Sequence, residues 1–129
     1  MTRLVTYDEF IGEVQERAGL PSREAAIRAT RATLRTLAER LTEGEATDLA
    51  VQLPPELRSY LDDEPLTYGE PFNFDEFLRR VADRTATEPL QAAGLAMTVT
   101  HLMCEVVPEF ALDDVQAQLP QEYAGLFTG

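Results

Sequence analysis

Tyr7-Asp8-Glu9-Phe10-Ile11-Gly12-Glu13-Val14 returns sixty-seven positions later as Phe74-Asp75-Glu76-Phe77-Leu78-Arg79-Arg80-Val81. Each copy follows a residue suited to cap a helix, Thr6 in the first case and Asn73 in the second, with a glutamate three positions further on. That is capping-box spacing: the cap side chain accepts the N–H of the third helical residue, and its carboxylate reaches back. Tyr7, Phe10, Ile11, Val14 and Ala18 recur at helical intervals, and Phe74, Phe77, Leu78 and Val81 take the same places. Both copies therefore predict an amphipathic helix, the first ending at Gly19, which can adopt the left-handed conformation of a helix end.

The likeness extends outward. Arg84 matches Arg17, and Ala92, Ala93 and Ala96 match Ala25, Ala26 and Ala29. After the loss of one residue, the run from Asp48 to Leu57 returns from Asp114 to Tyr123 at an offset of sixty-six. One gap across a whole unit is the signature of an internal repeat. Ser22 predicts the start of a second helix over about 23–41, with Ile27, Thr30, Leu34, Leu37 and Leu41 as its apolar seam. Thr42-Glu43-Gly44-Glu45 opens a third helix through Leu49 and Leu53. Pro54 breaks it, and Pro55 sits in the first turn of a fourth helix carrying Leu57 and Leu61. Asp62 to Phe72 has acids, prolines and a glycine without helical period and reads as a linker.

The expected fold is all-α: a helical bundle of two homologous four-helix repeats, packed with pseudo-two-fold symmetry into one domain over 1–129. Repeat one covers about 6–61, a linker 62–73, and repeat two about 74–127. A half of this size is marginal alone, whereas the whole chain can bury roughly two-thirds of its unfolded surface. The second helices of the two halves are the candidates for its centre. Leu90 to Cys104 carries no charge, so the later one is expected to be buried on most sides, with Gly94 and its neighbouring alanines admitting a close helix.

Composition narrows function. The net charge is -12, from 23 acidic and 11 basic residues, every one of the latter arginine. Nucleic-acid binding needs clustered positive charge, so the balance argues against it and suits a basic partner. Cys104 is the single cysteine, which leaves no intrachain disulfide. The first ten residues lack the apolar run of a signal peptide, and no apolar stretch is long enough to span a bilayer. The expectation is a soluble, cytoplasmic protein.

Tyr7, Phe10 and Val14, the run Leu37 to Leu41, Glu45, Ala46, Asp48, Leu49, and Gln52 to Pro54 together make a pattern. It resembles a bacterial family catalogued as domain of unknown function 2267. The resemblance spans nearly the whole chain, including a second Gln-Leu-Pro at Gln118 to Pro120. It implies a small helical bacterial protein and carries over no activity, cofactor or catalytic residue.

His101 and Cys104 lie three apart on one helix, with Glu105 one position further, a spacing that brings a metal pair to mind. The repeat register sets His101 against Leu34 and Cys104 against Leu37, so both are expected in the core, the imidazole bound to a carbonyl or carboxylate. No metal site and no cofactor are expected. Arg28, Arg31 and Arg35 form a stripe on the second helix, either an interaction surface for anions or a solvated face paired with Glu24, Glu39 and neighbouring acids. The second of these is favoured. The Gln-Leu-Pro corners read as structural turns anchored by Leu53 and Leu119. Glu45 with Asp48, and Asp113 with Asp114, are acids in helix first turns, where the helix dipole favours them without catalysis.

No catalytic constellation is legible, and the sequence leans away from an enzyme. The leading reading is a non-enzymatic protein that binds another protein, with self-association through a central helix as a further expectation. The alternative is a small-molecule binder or enzyme with a pocket between the repeats, near His101, Arg17 and Arg84. Nucleic-acid binding would require the Arg28 stripe to be free of acidic neighbours.

Overall fold

The computed structural model describes residues 3–62 and 67–127. Asp63, Glu64 and Pro65 of the expected linker lie outside the described residues.

Thr6 and Glu9 close a full capping box at the start of α1 (Tyr7–Ala18): the Thr6 hydroxyl accepts the Glu9 N–H at 3.1 Å, and the Glu9 carboxylate accepts the Thr6 N–H at 2.8 Å. Asn73 caps α5 (Phe74–Thr85) by accepting the Glu76 N–H at 2.9 Å. Glu76 does not reach back, because its carboxylate is bound by Arg79 and Arg80. Gly19 ends α1 at φ 64, and Ala86 ends α5 at φ 56, a left-handed conformation that a Cβ disfavours.

Between these lie α2 (Arg23–Arg40), α3 (Glu43–Ala50) and α4 (Pro55–Asp62); after α5 come α6 (Pro89–Val106), α7 (Glu109–Gln118) and a 3-10 helix over Gln121–Leu126. No strand forms among the described residues. The last element corrects the expectation of a fourth α-helix in the second half. The third helix is also shorter than expected, stopping at Ala50 before a turn that leads into Pro54.

The long helices α2 and α6 are the hub. α2 packs against α1, α4, α5 and α6, while α6 packs against α1, α2, α5 and the 3-10 helix. Small side chains allow this crowding. Ala26, Ala29, Thr30, Thr33 and Thr36 are buried on α2, and Ala92, Ala96 and Thr100 on α6. Buried hydroxyls need partners; Thr30 donates to the Ala26 carbonyl at 2.9 Å and Thr36 to the Ala32 carbonyl at 2.7 Å. Around the hub, Phe10, Ile11, Leu34, Leu37, Leu57, Phe77, Val81, Leu102 and Met103 fill one continuous core.

The second half closes on an aromatic cluster. Phe74 and Phe77 stack at 5.9 Å, and the Tyr123 ring meets them edge-on at 5.3 and 5.7 Å. The Tyr123 hydroxyl donates to the Phe72 carbonyl at 2.7 Å, which Arg40 also binds through Nε at 2.9 Å. The 3-10 helix is thereby tied to the segment before α5.

Helix α6, uncharged from Leu90 to Cys104, is less enclosed than its composition predicts. Leu90 is 87% and Met97 39% exposed, and Gly94 faces open space on the same side. Gly94 therefore admits no neighbouring helix. The close approach falls to Ala92 and Ala96, which are fully buried.

Candidate functional site

Arg28, Arg31 and Arg35 follow one another at steps of three and four on α2, so their side chains share a face. They span about 10 Å along the helix at 1.5 Å per residue. Together with Ala32 and with Arg84 of α5 they line an open groove of about 330 Å³. Arg28 and Arg31 are exposed, while Arg35 is half-buried with its Nε enclosed and without a hydrogen-bond partner.

The other arginines are differently engaged. Arg80 binds Glu39 at 3.1 Å, Glu70 at 3.1 Å and Glu76 at 2.9 Å, and lies over the Phe72 ring at 4.1 Å. Arg84 binds Glu39 at 2.7 Å and donates to the Thr36 hydroxyl at 2.8 Å. Arg3 and Arg17 share Glu13 and Glu105, Arg23 binds Asp8, and Arg79 binds Glu76 and Asp83. Arg40 and Arg58 donate to backbone carbonyls. Arg28, Arg31 and Arg35 alone have no acid or carbonyl partner among the described residues. Arg28 and Arg31 face solvent, as expected, but the expected ion pairs with Glu24 and Glu39 do not form: Glu39 turns toward α5 and binds Arg80 and Arg84.

A guanidinium offers five donors in a planar fork that matches carboxylate and phosphate. Three of them without an acid or carbonyl partner on two helical turns, with Arg84 beside them, make a positively charged patch on an otherwise acidic chain.

The Gln-Leu-Pro corners are where the sequence puts them. Leu53 and Leu119 are buried, and Gln118 accepts the Thr42 N–H at 3.2 Å, joining the second corner to the start of α3. A family model described as "Uncharacterized conserved protein (DUF2267)" matches residues 7–126. The chain belongs to that family. No curated protein matches it.

In this DUF2267 protein His101 and Cys104 are both half-buried, Cys104 packed against the core, and neither is enclosed as Leu34 and Leu37 are at 1% exposed. For His101 the physical reason is a register step: α6 starts sixty-six positions after α2, so His101 stands where α2 carries the half-buried Arg35 and not Leu34. The same step sets Cys104 against the buried Ala38 and does not account for its exposure. The imidazole Nε2 is enclosed without a partner, contrary to the expected carbonyl or carboxylate. Burial and then the neighbouring Glu105 push the Cys104 thiol up, which disfavours the thiolate that a metal or an oxidant needs. Glu105 itself is held by Arg17 at 2.7 Å and Arg3 at 2.6 Å. Among the described residues no group of three His, Cys, Asp or Glu side chains is disposed to hold a metal ion. Nor do His101, Arg17 and Arg84 converge. Arg17 lines a groove with Gly94 and Thr98 between α1 and α6, while Arg84 belongs to the arginine groove.

Hydrogen bonding from Arg17, then Arg3, holds the Glu105 carboxyl at about 2, below its ordinary 4.5. The folded protein therefore binds this proton more weakly than the unfolded chain. Glu105 contributes its stability fully above pH 4.5, and that contribution falls away as the pH drops toward 2. A Glu105→Gln variant is expected to show a flatter loss of thermal stability between these pH values; an acid limb identical to the parent's would refute the assignment.

Sequence pairing missed one cluster. Glu45 and Asp48 of α3 meet Asp114 of α7 around a depression with Val51 and Phe110. Desolvation, then Asp114 and Asp48, push the Glu45 carboxyl up. Asp113 and Asp114 do not stand in the first turn of α7, where Glu109 is the acid, and Asp114 joins Glu45 and Asp48 of α3. No helix of the described residues is long and apolar enough to cross a membrane.

Proposed function

We propose that this DUF2267 protein is a cytoplasmic, non-enzymatic protein that acts by macromolecular interaction, receiving an acidic segment of a partner protein in the Arg28–Arg31–Arg35–Arg84 groove. The observation that carries this is the absence of any acid or carbonyl partner for the first three, among the described residues of a chain with net charge -12.

The proposal is joined to a second, that the chain is two repeats, about 6–61 and about 74–127, related by a pseudo-two-fold axis. Matched contacts support it. Arg17 binds Glu105 at 2.7 Å across the halves, and Arg84 binds Glu39 at 2.7 Å the other way. The Arg3 N–H donates to the Glu105 carbonyl at 2.7 Å, and the Glu70 N–H to the Glu39 carbonyl at 2.8 Å. The offset is sixty-seven as far as α5 and sixty-six from α6 onward, the missing residue falling in the loop before α6. Arg28, Arg31 and Arg35 then stand where the other repeat carries Gly94, Met97 and His101. A frame that keeps its cross-half ion pairs while one copy dispenses with the arginines does not need them for folding. Their use lies outside the chain.

The groove lies between α2 of one repeat and α5 of the other, which is where a small anionic ligand would also bind, and this is the second reading. Titration with a glutamate-rich peptide, followed by fluorescence anisotropy, separates them. Arg31→Glu is expected to weaken peptide binding about tenfold, the worth of a desolvated charge contact, while Arg79→Glu leaves it unchanged. Equal peptide affinity in Arg31→Glu would sink the proposal. Saturable binding of inorganic phosphate lost in Arg31→Glu, with none of the peptide, would favour the small-ligand reading.

A further inference from the structure

Three large apolar side chains, Leu4, Val51 and Phe110, stand exposed around the first Gln-Leu-Pro corner. Phe110 is 65% and Val51 56% exposed, although neighbours such as Leu53, Val106 and Ala111 are buried. Two depressions, of about 480 and 230 Å³, share Val51 and Gln52 and so run into one another across this corner. The larger is lined by apolar side chains such as Leu53, Val106 and Pro108, together with Arg3 and Arg58. The smaller is edged by Glu45, Asp48 and Asp114.

The two arginines of the larger depression are engaged elsewhere, Arg3 by Glu13 and Glu105 and Arg58 by the Leu53 carbonyl. No arginine or lysine occurs between Leu41 and Leu57 or after Arg84. None of the three carboxylates makes an ion pair among the described residues, and burial, then Asp114 and Asp48, push the Glu45 carboxyl up. An arriving cation would relieve all three. A grouped apolar surface rimmed by polar side chains marks an interaction site, and an open groove of this kind suits the apolar face of a helix.

We infer that the groove over the Gln52-Leu53-Pro54 corner, with Val51 and Phe110 as its apolar contacts and Glu45, Asp48 and Asp114 as its rim, docks an amphipathic helix of a partner protein that is basic along one edge. Charge selects this occupant. A second copy carries a net charge of -12, and its one basic face, the arginine groove, has no large apolar side chain to fill this groove, while an anionic lipid surface would be repelled. The surface is separate from the arginine groove, so the protein presents two docking faces of opposite sign. The first Gln-Leu-Pro corner thus serves as both turn and platform: Leu53 anchors it inward while Val51 faces out.

The probe is a synthetic amphipathic peptide of about five turns, leucines on one face and lysines on the other. Its control has the same composition with the leucines scattered. Calorimetry is expected to give one-to-one binding for the first and at least about tenfold weaker binding for the second. Amide shifts in the protein are expected to concentrate on α3, the Gln52 corner and the start of α7. Phe110→Ser, a surface change that should leave the melting temperature in place, weakens the peptide about tenfold. The double variant Glu45→Gln, Asp114→Asn flattens its salt dependence, and Arg31→Glu has no effect on it. Equal binding of the scattered peptide, or indifference to Phe110→Ser, would reduce the observation to general attraction between opposite charges and overturn the inference. A dimer of the free protein, seen by light scattering and abolished by Phe110→Ser, would overturn it in favour of a second copy.

Discussion

Phe77→Ala is expected to lower the unfolding free energy by about 3–5 kcal/mol, the usual cost of emptying a buried aromatic site. Phe77 is fully buried on α5, stacked on Phe74 and met edge-on by Tyr123. Its loss removes apolar contact and opens a cavity at the place where α5 and the 3-10 helix meet. The rings cannot close that gap freely, because the Tyr123 hydroxyl is tied to the Phe72 carbonyl and the Tyr123 ring carries Arg40 at 5.7 Å. A domain of this size has roughly 5–15 kcal/mol in all, so the variant should sit close to its threshold of folding. Urea unfolding checks this directly. A midpoint within the scatter of the parent's would mean that the aromatic cluster is not part of the cooperative core.

Glu39→Ala is expected to cost about 1–3 kcal/mol, since it removes an acid whose side chain is only 12% exposed from between two arginines. Arg80 keeps Glu70 and Glu76, and Arg84 keeps only the Thr36 hydroxyl, so most of the penalty falls on Arg84. The same change has an opposite consequence for binding. With Glu39 gone, a fourth arginine in the groove has no acid, and affinity for the glutamate-rich peptide should rise about two- to fivefold, the worth of one screened surface charge. A loss of stability together with tighter binding distinguishes this from a merely damaged fold, which would weaken both. Weaker peptide binding in a folded Glu39→Ala protein would remove Arg84 from the proposed surface.

The arginine groove illustrates how far local reasoning reaches. Arg28, Arg31 and Arg35 are visible as a stripe in the primary structure, and Glu24 and Glu39 are one helical turn from two of them. Within an isolated helix the Arg35–Glu39 pair runs in the less favourable direction, with the cation nearer the N-terminus. It loses to Arg80 and Arg84, which approach Glu39 from another helix. Arg84 could not have been added to the stripe from the sequence, because it lies forty-nine positions beyond Arg35 and arrives only when α5 packs on α2. The acidic rim was missed for the same reason. Asp113 and Asp114 look like a pair along the chain, but successive helical residues point about 100° apart, and Asp114 meets Glu45 and Asp48 only through the contact of α3 with α7.

His101 marks a different boundary. Its type and spacing are plain, yet its environment depends on a register that changes by one residue in the loop before α6. Placing that gap after α6, as the alanine matches invite, sets His101 against the buried Leu34; placing it before α6 sets it against the half-buried Arg35, while Cys104 moves only from Leu37 to Ala38, both buried.

Helix starts, helix ends and the apolar faces follow from chemistry within a few residues: Thr6 and Asn73 as caps, Gly19 as a stop, Pro55 and Pro89 in first turns, aromatic and aliphatic residues at helical spacing. These interactions span at most a turn or two, so a linear sequence contains them whole. Which arginines keep an acid, where Asp114 finds its neighbours and which side of α6 meets water were decided only when α2 and α6 packed at the centre. Those outcomes depend on competition between groups far apart in the chain, and a charge goes to the partner that packing brings within about 3 Å rather than to the one nearest in sequence.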